Sequence, residues 1–173
     1  MEQKRFANWV KASHGLSKIE PFMIPVAQGL GNLDAKLIVE DDRYLKLPQT
    51  SRDTIEESMK LTERFTLSYL WVLGTYELVR TLTQRCRENG NLLGENLVQE
   101  IIKLKQDIER LRIPLAKMEP SRQHRKTDAP IAYPTIHNEF GISWRVSQNT
   151  YITRREISDN FLSLLEQIRQ NDT

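Results

Sequence analysis

One cysteine, Cys86, stands in 173 residues, so no intramolecular disulfide can hold this chain together. A lone thiol fits a reducing compartment, and a cytoplasmic location is the expectation. Histidine is scarce as well: His14, His124 and His137 are the whole supply. None has a partner at the spacing of Cys-x2-Cys or His-x3-His, so no zinc site is expected, although His124, Asp128 and His137 are weighed as ligands. Long charge-free apolar runs are missing too. The most hydrophobic stretch, residues 65–82, contains Glu77 and Arg80, which argues against a membrane span. The first residues, "MEQKRFANWVKASHG", have no apolar core, so no secretory signal is read there. Gly29-x-Gly31 lacks both a third glycine and the Lys-Ser/Thr of a phosphate-binding loop, and no Gly-x-Ser-x-Gly elbow occurs. No cofactor is therefore expected.

What is present describes a folded protein of ordinary composition, with 39% hydrophobic and 28% charged residues, long enough for a core of its own. The expected class is α+β, predominantly α, in a single domain over 1–173. Within it, 1–50 form a lead-in: a short helix over residues 2–12, irregular backbone around Pro21, Pro25, Gly29 and Gly31, and a β-hairpin in "AKLIVEDDRYLKLP" turning at Asp41-Asp42. Residues 53–119 read as a helical hairpin. Asp53 with Glu56 forms a capping-box pattern, and Gly90 offers a stop about 36 residues later. Glu77 and Arg80, three residues apart, are placed to pair with each other. The second helix opens near Glu95. Leu97, Ile101, Leu104, Ile108, Leu111, Leu115 and Met118 recur at alternating spacings of four and three, a seam suited to a core or an oligomer contact. Pro114 inside the seam is expected to kink or end that helix. Residues 120–140 carry no period and read as a basic loop. Residues 141–173 then supply a second hairpin, "ISWRV" and "TYIT" turning at Gln148-Asn149, and a last helix opened by Thr153 and Glu156, with Ile157, Phe161, Leu164, Leu165 and Ile168 as its buried stripe.

Charge is unevenly spread. The net value is only +2, yet Arg110, Arg112, Lys117, Arg122, Arg125 and Lys126 face a single acid, Glu119, within residues 110–126. Together with Tyr133, which can stack on a base, Arg110, Arg112, Arg122, Arg125 and Lys126 make a candidate edge for nucleic acid or another polyanion. Cations at a helix C-terminus also favour the helix dipole, which accounts for Arg110, Arg112 and Lys117 without any ligand. For catalysis the candidates are His124, Asp128 and His137, as proton carriers beside basic groups. Cys86, between two arginines near a helix end, reads as a packed thiol rather than a nucleophile.

In outline the long helical hairpin resembles the HEPN family of small helical proteins, many of them ribonucleases or toxins. That resemblance implies RNA cleavage by an Arg followed four to six residues later by a His. At those offsets His14 has Ala7, Asn8 and Trp9, His124 has Lys117, Met118 and Glu119, and His137 has Pro130, Ile131 and Ala132. The likeness is thus one of shape and transfers no site residue. The expectation is a non-enzymatic interaction module, a homodimer able to contact nucleic acid or another protein, with a HEPN-like ribonuclease as the alternative.

Overall fold

A computed structural model describes residues 2–90 and 92–171. Its elements run α1 (Glu2–Ser13), α2 (Met23–Leu45), α3 (Gln49–Arg52), α4 (Ile55–Glu88), α5 (Glu95–Lys117), β1 (Tyr133–His137), β2 (Gly141–Ser147), β3 (Thr150–Thr153) and α6 (Arg154–Gln170). Short 3-10 turns stand at His14–Lys18 and Arg122–His124. The chain is predominantly helical with one small antiparallel sheet, ordered β1-β2-β3.

The helical hairpin is as the sequence implies. α4 and α5 pack antiparallel, so that Lys105 and Arg112 of α5 lie over the Tyr76 ring of α4, at 6.0 and 4.9 Å from its centroid. The segment joining them includes Asn91, which lies outside the described residues. Glu77 and Arg80 pair at 2.8 Å. Leu97, Ile101, Leu104, Ile108 and Leu111 are buried, and Leu115 is partly so. Burial of each such side chain is worth about 1.5–3 kcal/mol, and here it is satisfied within one chain. Pro114 does not stop α5, which runs three residues further. The helix ends where Met118 turns left-handed, at φ 56°, and that turn throws Met118 off the seam into solvent. At the start of α4 the cap is Thr54 rather than Asp53: its hydroxyl accepts from the Glu57 amide. Glu57 is held in turn by Nη1 and Nη2 of Arg43, at 3.1 and 2.9 Å, tying the end of α2 to the start of α4.

The lead-in departs from expectation. No β-hairpin forms over residues 35–48; one helix, α2, runs through Pro25, both glycines and the Asp41-Asp42 pair, with Pro21 in the turn before it. Pro25 occupies the third position of α2, where the missing N–H would have had no helical partner. Gly31 is where the Trp9 side chain of α1 lies against α2, and a Cβ there would overlap the indole. Two helical glycines cost roughly 1 kcal/mol each, and this close packing offsets the cost at Gly31. Trp9 in turn meets Phe161 of α6 edge to face, at 5.5 Å and 72°, at the centre of the core.

The C-terminal third follows the sequence closely. β2 and β3 form the expected hairpin, with Ile142, Trp144 and Val146 buried on one face. Thr153 and Glu156 complete a reciprocal capping box. The addition is β1, which takes up the end of the supposed loop and pairs with β2 from Tyr133↔Arg145 to His137↔Gly141.

The Arg43–Glu57 clamp yields a pH prediction. Hydrogen bonds from Arg43 and Lys60 hold the Glu57 carboxyl at about 2, against an ordinary 4.5. A carboxyl depressed in the folded state stabilises fully above its unfolded value, and that contribution is lost as pH falls toward the folded value. Urea midpoints of the native protein should therefore fall more steeply between pH 4.5 and about 2 than those of Glu57→Gln; parallel profiles would show the clamp to be inert.

Candidate polyanion-binding surface

The segment after α5 is pinned at two adjacent residues, Asp128 and Ala129. Asp128 accepts from Arg110 Nε and Nη2 at 2.7 and 2.8 Å, which ties the loop back to the helix. The Ala129 amide donates to the Val146 carbonyl at 2.7 Å, which docks the loop on the sheet. Just before these anchors the chain turns tightly, the Thr127 and Asp128 amides both donating to the His124 carbonyl. Burial acts to raise the Asp128 carboxyl, but the hydrogen bonds and charge of Arg110 outweigh it and keep the carboxyl below its ordinary value. A carboxylate so held is an anchor and a poor proton carrier.

The three catalytic candidates do not converge into one hydrogen-bonded group. His124 Nδ1 lies 3.0 Å from the Ser121 hydroxyl, within its own turn. It is near enough to Asp128 for its charge to favour the carboxylate, without a hydrogen bond between them. His137 closes the β1–β2 turn: its Nδ1 accepts from the Glu139 and Phe140 amides, and its ring stacks on Phe140 at 5.0 Å. Among the described residues no group of three or more His, Cys, Asp or Glu side chains is placed to hold a metal ion. Cys86 is buried, and burial pushes its thiol up, away from the reactive thiolate.

The basic candidates divide into two sets. Arg110 is committed to Asp128. Arg112 lies over Tyr76 with Glu77 at 3.8 Å, and Lys117 is 3.9 Å from Glu119. Arg122, Arg125 and Lys126 are exposed, and no ion pair to another described residue engages them. A further cation joins them that the sequence reading passed over. Arg145 projects from the exposed face of β2, its guanidinium 5.6 Å from the Tyr133 ring centroid. Ala129, Tyr133, Arg145, Ser147 and Gln148 line a shallow concavity of about 270 Å³. Lys126 is three residues from Ala129, so their Cα atoms are at most about 11 Å apart. Lys126 is thus close in the chain to the Ala129 edge of this concavity, whereas Arg122 borders a separate cleft with Gln106 and Glu109 of α5. The signal for Arg145 was available: it alternates with Trp144 and Val146, which places it on the opposite, exposed face.

The largest concentration of charge lies elsewhere and is sealed. Asp34 and Asp41, two turns apart on α2, both accept from Arg154, at 2.6 and 3.0 Å. Asp34 also accepts from Arg5 and from the Trp9 indole N–H, and Asp41 from Arg64 at 3.3 Å. Arg154, Arg64, Asp34 and Asp41 are all at most 1% exposed. Burial raises the Asp41 carboxyl in spite of Arg154, Arg64 and the Ile142 amide facing it. The same burial lowers Arg64. This is a brace joining α1, α2, α4, α6 and the start of β2. Gly141, at φ +75°, is the residue that lets β2 pass over Asp41, where a Cβ would collide with the carboxylate.

No family model matches the chain, and no curated protein or solved structure matches it either. No helix among the described residues is long and apolar enough to cross a membrane.

Proposed function

We propose that this protein acts by binding, as a module that grips a polyanion on the surface formed by Arg122, Arg125, Lys126 and Arg145. The observation that supports it is the contrast among the cations: Arg5, Arg64 and Arg154 are locked into the core brace, Arg110 and Arg112 into pairs, whereas the loop cations are left to solvent. A solvated loop has no need of three cations without a matching acid, and a phosphate backbone does. The HEPN-like ribonuclease alternative gains nothing from the geometry, since His124 and His137 are each held at Nδ1 within their own separate turns and share no hydrogen bond with each other or with Asp128. The test is binding of a short labelled oligonucleotide by the native protein and by Arg122→Glu/Arg125→Glu/Lys126→Glu. Loss of binding in the variant is expected; equal binding, or none by either, overturns the proposal.

The homodimer is retained as a proposal on a different face from the α5 seam, which is spent inside the chain. Ile55, Met59 and Leu70 are 81%, 69% and 52% exposed along the first half of α4, beside an open groove lined by Met59 and Leu67. A second copy would cover that stripe, isologously. Sedimentation velocity should show a micromolar dimer that Met59→Glu dissociates; a native monomer at that concentration sinks the idea.

A further inference from the structure

The exposed face of the sheet says which polyanion. Register sets Tyr133 of β1 opposite Arg145 of β2, and Arg145 opposite Tyr151 of β3. Directly paired residues share a face, so the three side chains form one row across all three strands: ring, guanidinium, ring. Tyr133 is 46% and Tyr151 50% exposed. Further along this face Ser143 and Thr153 are buried and Gly141 lies against Asp41 of α2, so the open part of the face is the end that carries Tyr133, Arg145 and Tyr151. On the opposite face the partners are Ile142, Trp144 and Val146, all in the core. Two large aromatic side chains on the solvent face of so small a sheet leave substantial apolar area in water.

From this row we infer that the ligand is a single-stranded nucleic acid, two of whose bases stack on Tyr133 and Tyr151 while Arg145 meets the phosphate or base between them. The inference rests on the polyanion reading of the adjacent loop. Strand spacing places the two rings two ladder steps apart, about 9–10 Å. Stacked bases in a duplex repeat every ~3.4 Å along each strand and present edges, not faces, to a flat surface. Only a strand whose bases are splayed apart can lay one base on each ring. An aromatic platform flanked by cations recognises such strands with little sequence preference, because every base has a π-face. Lys126, three residues from Ala129 at the edge of the concavity, and then Arg125 and Arg122 further back along the exposed loop, track the backbone as it leaves the platform. A sulfated polysaccharide or a duplex would engage the loop cations but gain nothing from the tyrosines.

Fluorescence anisotropy with a short fluorescein-labelled single strand, the same strand annealed to its complement, and heparin as competitor tests this. The native protein should bind the single strand at least about ten-fold more tightly than the duplex. Tyr133→Ala and Tyr151→Ala should each weaken single-strand binding by about ten-fold and leave duplex binding and heparin competition unchanged. Tyr133→Phe and Tyr151→Phe keep the π-face and should bind as the native protein does, which separates stacking from loss of fold. If the alanine variants hold the single strand as tightly as the native protein while the triple glutamate variant does not, stacking is refuted and the polyanion reading stands. If the native protein binds none of the three probes, both fall together.

Discussion

Arg154→Met should destabilise the fold by about 3–5 kcal/mol, the range for removing one partner of a buried ion pair. The native protein holds the Arg154 side chain at 0% exposure between Asp34 and Asp41. Methionine fills similar volume, so little of the loss comes from a cavity. It comes from two carboxylates left in the core with fewer donors. Asp34 keeps Arg5 and the Trp9 indole. Asp41 keeps the longer contact to Arg64 and the Ile142 amide, so Asp41 is the weaker-held end of the brace. Its carboxyl is already raised by burial, and losing Arg154 raises it further. A carboxyl raised in the folded state costs stability at pH above its folded value and is relieved as pH falls through that value. The deficit of Arg154→Met, read from urea unfolding, should therefore be largest near neutral pH and shrink under mild acid. Adding Asp41→Asn to Arg154→Met should recover part of the loss, because it removes the stranded charge. Against a total stability of about 5–15 kcal/mol for such a domain, a loss under about 1 kcal/mol would show the brace to be dispensable.

The brace also marks where sequence reading stops. Signals confined to a few neighbouring residues were legible: the α5 seam from Leu97 to Leu111, though not its last member Met118, the Thr153–Glu156 box and the stripe of α6 formed as their spacing implied. α2 was not, because Leu37-Ile38-Val39 is a short apolar run that fits strand and helix equally, and Asp41-Asp42 resembles a turn. The discriminating pattern is longer. Ala27, Gly31, Asp34, Ile38 and Asp41 fall at spacings of four, three, four and three, a helical face with two acids inside it. Those acids make sense only with Arg154, 120 and 113 residues away. Arg154 itself carries a local clue. It sits in the first turn of α6, where the helix dipole disfavours a cation, so its presence there calls for a buried acidic partner. Of the candidate site, the charge of residues 122–126 was legible, but which cations of the 110–126 window are free was not. Pairing of Arg110 with Asp128 and of Arg112 with Glu77 depends on how the loop returns to the helices.

That division of the cations predicts the salt dependence. For single strands the logarithm of affinity falls with the logarithm of salt by about 0.7 per phosphate neutralised. With Arg122, Arg125, Lys126 and Arg145 each meeting one phosphate, the slope should be about −2.8, or roughly a 50-fold loss between 50 and 200 mM salt. Lys126→Ala or Arg125→Ala should each lower the magnitude of the slope by about 0.7. Arg112→Met removes the same formal charge from the same sequence window and should leave the slope unchanged, because that guanidinium is held over Tyr76 beside Glu77. A slope that falls equally for Arg112→Met and Lys126→Ala would mean that the ligand reads the window's net charge. A slope near zero would mean that the loop cations are solvated and that no phosphate is bound there. Only a slope that distinguishes the free cations from the paired ones ties binding to this surface, and the paired arginine supplies the control that a charge count cannot.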